Sequence, residues 1–104
     1  MRILVTSRHL KPTKDMKDYA KEKLRKVKKY LSEPIEANVI LAEEKFRHLA
    51  EVTITHSGIT IRGEGMATDM RSAIDKAIEK IEKQLRRQKD KLSNPKRAKE
   101  KWRS

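Results

Sequence analysis

The apolar positions change period along the chain, and those changes mark out the elements. RILVTSR (2–8) is short and rich in β-branched residues, the pattern of a strand. Thr13 suits an N-cap, and residues 14–31 carry a helical period. At about 100° per residue, Met16, Tyr19, Ala20, Leu24, Val27, Tyr30 and Leu31 share one arc. Pro34 closes that region. IEANVILAEE (35–44) and FRHLAEVTIT (46–55) predict a second and a third strand. The third sets Ala50, Val52 and Ile54 on one face and Glu51, Thr53 and Thr55 on the other. Ser57-Gly58 predicts a hairpin turn into a fourth strand, ITIRGEGMA (59–67). Thr68 or Asp69 then caps a helix running to about Leu92, with Met70, Ala73, Ile74, Ala77, Ile78, Ile81 and Leu85 as its core arc.

The resulting order is β-α-β-β-β-α. It predicts an α+β fold: a four-stranded mixed sheet with two helices packed on one face, an arrangement like that of double-stranded RNA-binding domains. The first strand–helix–strand unit is a crossover between parallel strands. The far face of the sheet is left open and polar, with Thr53, Thr55, Thr60 and Arg62 on it. Gly63 and Gly65 interrupt the fourth strand. No lysine-serine or lysine-threonine pair follows them, so they are not a phosphate loop but a bulge or a close packing point. A length of 104 residues fits one small domain, taken as 1–92. Residues 93–104 form a polar, basic tail containing Trp102 and are expected to be disordered.

Charge changes the picture from fold to partner. The chain has 27 bases and 15 acids, a net +12, which calls for a polyanion or an anionic surface. The excess is not spread evenly. Residues 14–31 hold eight bases against three acids, and 68–92 hold eight against five. Residues 35–67, with three strands, hold three bases against five acids. Within the last helix, Lys76, Lys80, Lys83, Arg87 and Lys91 cluster on one flank, while Asp75, Glu79 and Glu82 take the other. The first helix offers an edge of Lys17, Lys21, Arg25 and Lys28, and a second row, Lys23, Lys26 and Lys29, spaced three apart. Sorting of sign concentrates potential, which suits binding that gains its affinity by displacing counterions from a phosphate backbone. The strands offer only Phe46 for stacking on bases, so recognition by shape and phosphate is expected.

Other chemistry finds little support. There is no cysteine, and His9, His48 and His56 are dispersed, so neither a disulfide nor a zinc site is expected. No cofactor and no small-molecule substrate are implied. His48 and Glu51 form a nominal acid–base pair without a nucleophile or an oxyanion site. No apolar run approaches the ~20 residues of a membrane span. A membrane-surface role would expose the apolar arcs that a folded core requires. A cytoplasmic, non-enzymatic protein is expected.

TDMRSAID (68–75) resembles the Asp-Met-Tyr-x-Ala-Ile-Asp motif of the ribosome hibernation promoting factors, also called ribosome-associated inhibitors. Asp69, Met70, Ala73, Ile74 and Asp75 match, and Arg71 stands where that family usually has tyrosine. KIEKQLRRQKDK continues the likeness through Lys80, Lys83, Gln84, Leu85, Arg87 and Lys91. In the first helix KLRKVKKY is similar through Lys23, Leu24, Lys26, Val27, Lys29 and Tyr30. The resemblance covers about residues 2–92. It implies the β-α-β-β-β-α fold and binding to the small ribosomal subunit and its rRNA, in the cleft that holds messenger RNA and tRNA. It implies silencing of idle ribosomes in stationary phase or stress. The expected RNA-binding residues are Lys23, Arg25, Lys26, Lys28, Lys29, Lys76, Lys80, Lys83, Arg87 and Lys91, with Lys26 and Lys29 ranked above the narrow edge. Family members come short or long, the long ones with a second domain that pairs ribosomes into dimers. The chain fits a short member or the first domain of a long one. The alternative within RNA binding is a general double-stranded RNA-binding module.

Overall fold

A computed structural model describes the backbone of residues 1–93 and the side chains to residue 87; Trp102 and the expected tail after Ser93 lie outside the described residues. The elements are β1 (Arg2–Arg8), α1 (Lys14–Leu24), a 3₁₀ segment (Arg25–Lys29), β2 (Glu36–Glu44), β3 (Arg47–His56), β4 (Ile59–Ala67) and α2 (Met70–Ser93). The strands lie in the order β1-β2-β3-β4. β1 pairs parallel to β2, and the other pairs are antiparallel. The expected four-stranded mixed sheet is therefore present.

The period-2 pattern decides which face the helices cover. Ala37, Val39, Leu41, Ala50, Val52, Ile54 and Ile61 are buried with Ala20 and Leu24 of α1 and with all seven core-arc residues of α2. Both helices thus pack on one face. Eighteen hydrophobic residues make this core, and no charged side chain among the described residues is buried with them.

Local chemistry fixes the ends. Thr13 Oγ1 accepts the Met16 N–H at 3.2 Å, and Asp69 Oδ1 accepts the Ser72 N–H at 2.8 Å, so Asp69 and not Thr68 caps α2. That bond, with a second from the Ser72 hydroxyl, holds the Asp69 carboxyl below its ordinary range. Ser57 and Gly58 have φ of 47° and 77°, the left-handed pair of a tight hairpin turn whose twist matches the strands.

Gly63 and Gly65 mark a close packing point. α2 lies so near β4 that a Cβ on Gly63 would sit 2.5 Å from the Ala77 carbonyl oxygen. One on Gly65 would sit 2.7 Å from the Ala77 nitrogen and closer still to the Ala73 carbonyl oxygen.

Two expectations need correction. The first helix is not α-helical to residue 31. It tightens to 3₁₀ at Arg25 and ends where Tyr30 and Leu31 donate to the Val27 carbonyl. The far face of the sheet is also less polar than expected, because Leu4 (60% exposed), Met66 (46% exposed), Ile40 and Leu49 share it with the threonines. The Glu51–Arg62 ion pair bridges β3 and β4 there.

Candidate nucleic-acid interface

The basic side chains project from the helix layer in two groups. The first centres on the 3₁₀ segment. At three residues per turn, i and i+3 eclipse. Arg25 therefore stacks with Lys28 and Lys26 with Lys29, while Val27 turns inward and is fully buried. The three-residue spacing noticed in the sequence is the 3₁₀ repeat. Lys23, in the last turn of α1, leads into the Lys26–Lys29 row. Lys28 lies 3.9 Å from Glu33, a weak exposed pair. Arg25, Lys26 and Lys29 are exposed and form no ion pair with a described residue.

The second group lies on the flank of α2 beside β4. Even-numbered residues of β4 turn their main-chain groups to the free edge of the sheet. Lys76 Nζ donates to the Met66 carbonyl at 3.1 Å and Gln84 Nε2 to the Arg62 carbonyl at 2.8 Å. These bonds cover an edge that would otherwise invite another strand. Lys80, between them in sequence, is exposed, as are Lys83 and Arg87, and none of the three has an ion-pair partner among the described residues. Lys91 falls among the side chains outside the described residues.

The opposite flank of α2 turns to α1. The Tyr19 hydroxyl donates to Asp75 Oδ1 at 2.6 Å across the seam, and this bond pushes the Tyr19 phenol up to about 12. The sorting of charge thus has a structural side: the acidic flank meets the lysine-rich first helix, and the basic flank faces away. It also means that the two basic groups do not share one groove, since the body of α2 with Asp75 lies between them.

The sequence missed one member of this layer. Arg71 projects from the acidic flank of α2, and its guanidinium lies over the Tyr19 ring, 5.2 Å from the centroid. Lys23 Nζ lies 5.4 Å from the same centroid. Tyr19, placed in the core arc, is only half-buried and forms the rim of the seam. A wheel for one helix shows no contact between two helices, so nothing in the one-dimensional pattern pointed to this cluster.

The geometry removes the nominal acid–base pair. Three residues apart on β3, His48 lies on the helix-covered face with Ala50, and Glu51 lies on the open face bound to Arg62. Among the described residues no group of three or more histidine, aspartate or glutamate side chains is placed to hold a metal ion. No described helix is long and apolar enough to cross a membrane.

Comparison with known proteins gives this architecture a family. The model of the family described as sigma 54 modulation protein / S30EA ribosomal protein matches residues 3–93, and the chain belongs to that family. The ribosome hibernation promoting factor of Salmonella typhimurium is 30% identical over 92 residues, covering 88% of this chain and 97% of the relative. The factor of the same name from Pseudomonas putida is 29% identical over 91 residues, covering 88% and 89%. Among solved structures, the N-terminal domain of Thermus thermophilus Protein Y matches with a TM-score of 0.78 at 30% identity, covering 84% of this chain and 98% of that one. A ribosomal subunit interface protein from Coxiella burnetii shares the fold, with a TM-score of 0.76 at 20% identity over 86% and 99% of the two chains. The family resemblance read from TDMRSAID and KLRKVKKY is borne out.

Proposed function

We propose that this chain is a ribosome hibernation factor that represses translation by seating its helix layer on small-subunit rRNA, in the cleft that holds messenger RNA and tRNA. The role is one of binding, carried out in the cytoplasm where ribosomes work, and it requires no catalysis. The observation that carries the proposal is the pair of outward cation groups on the helix layer, Arg25–Lys26–Lys29 and Lys80–Lys83–Arg87, none held in an ion pair among the described residues. Cations outside any ion pair keep their full charge for phosphates, and the release of counterions from an RNA backbone supplies affinity. Family membership and the hibernation factors among its relatives supply the ribosome as the RNA.

Sucrose-gradient sedimentation tests this. The protein should travel with small subunits at physiological salt and stay there when excess plain duplex RNA is added. Loss to the duplex would identify a general double-stranded RNA-binding module instead. The same gradients report ribosome dimers directly.

A further inference from the structure

The seam between α1 and α2 gathers two cations that no ion pair among the described residues neutralises. Lys23 and Arg71, from different helices, converge on one aromatic ring, that of Tyr19, at 5.4 and 5.2 Å from its centroid. The two cationic groups are therefore at most about 11 Å apart. Neither forms an ion pair with a described residue. Two acids of α2 and its cap already hold hydrogen bonds: Asp75 accepts the Tyr19 hydroxyl at 2.6 Å, and both oxygens of Asp69 accept from Ser72 at 2.8 Å, the Arg71 charge acting on Asp69 without a salt bridge. Arg71 also stands in the first turn of α2, where the peptide dipoles already present positive charge and a further cation is unfavourable. An anion bound beside it reverses the sign of that interaction.

We infer that Lys23, Tyr19 and Arg71 form a phosphate-binding site across the helix seam, taking backbone phosphates of the RNA strand that runs along Lys26 and Lys29. This rests on the RNA-binding reading given above and adds to it a residue from the acidic flank and an aromatic platform. The ring face attracts both cations and restricts their motion. A guanidinium held over a ring by cation–π attraction keeps its planar fork of N–H donors for the paired oxygens of a phosphate. Lys23 begins the row that the 3₁₀ segment continues, so the site extends that row to α2.

The test uses the whole chain and purified small ribosomal subunits, with affinity measured across a salt series. Arg71→Gln and Lys23→Gln are each expected to flatten the slope of log affinity against log salt by ~0.7–0.9, the loss of one phosphate contact. Tyr19→Leu, which removes the platform, should weaken binding as Arg71→Gln does. A parent that binds with a steep slope, together with an Arg71→Gln variant of identical slope, overturns this site and leaves the ribosome-binding proposal standing. The site is likewise overturned if Arg71→Gln lowers only the melting temperature, since the stacking is then a helix staple. A parent that does not bind small subunits overturns both.

Discussion

Gly65→Ala is the smallest change that strikes the fold at its tightest point. The added Cβ would lie 2.7 Å from the Ala77 nitrogen, where ordinary contact begins at 3.4 Å, and closer still to the Ala73 carbonyl oxygen. Both opposing atoms belong to the backbone of α2, so no side chain can swing away. The helix must retreat by at least 0.7 Å from β4. A gap of that size forfeits about a quarter to a half of the dispersion attraction at each contact it opens. The contacts at risk are those of Ile74, Ile78, Ile81 and Leu85, all buried beneath the same helix. Overpacking of a core usually costs ~1–3 kcal/mol, and the rigid backbone here places Gly65→Ala at the upper end, about 3 kcal/mol. For a domain of this size that lowers Tm by roughly 12–24 °C. Thermal melts followed by circular dichroism measure it. Gly58→Ala is the control: its φ is +77° and nothing lies within 4 Å of a Cβ, so it costs only left-handed strain, ~1–2 kcal/mol. A Gly65→Ala melt within about 4 °C of the parent, or above that of Gly58→Ala, would refute the close-packing account.

Reversing Lys80, Lys83 and Arg87 to glutamate should abolish small-subunit binding while Tm stays near the parent, since none of the three is buried; sedimentation beside a melt reads both. If about six phosphates are contacted, log affinity should fall against log salt with a slope of roughly −4 to −5, and a flat slope would contradict phosphate-dominated binding. The Tyr19 phenol should ionise near 12, and Asp75→Asn should bring it back toward 10 in an ultraviolet titration. Because its folded value is raised, the stability carried by the Tyr19–Asp75 bond is complete below pH 10 and is lost as pH rises through about 12. Asp69→Ala should lower Tm by a few degrees through loss of the α2 cap. That carboxyl is held below its ordinary 3.8, so the cap's stability is present above 3.8 and lost as pH falls through the lower folded value, and the gap between variant and parent should close in acid.

Much of this architecture was legible because each element wears its period openly. The alternation Ala50-Glu51-Val52-Thr53-Ile54 can be satisfied only by a strand with one covered face, and every residue of the α2 core arc is buried as the wheel requires. The 3₁₀ segment was half-legible. Lys23, Lys26 and Lys29 already showed a spacing of three, but an assumed α-helix to residue 31 split them from the geometry that aligns them. The apolar patch on the open face was missed because Leu4, Ile40, Leu49 and Met66 come from four different strands and meet only through register. Arg71 on Tyr19 was missed for the same reason, as a contact between residues 52 positions apart. Of the expected RNA-binding residues, the pattern placed every described one on the helix layer, yet only the fold shows that α2 itself divides them into two groups. The glycine pair fits a bulge or a packing point on sequence grounds, and the nearness of the α2 backbone decides for packing.

Chemical footprinting of small-subunit rRNA addresses the central claim most directly. With the parent protein bound, protected nucleotides should line the cleft between head and body where messenger RNA and tRNA sit, and the protections should vanish with the Lys80, Lys83 and Arg87 reversal. Protections confined to another surface of the subunit, or a pattern left unchanged by that reversal, would contradict binding through the basic helix layer.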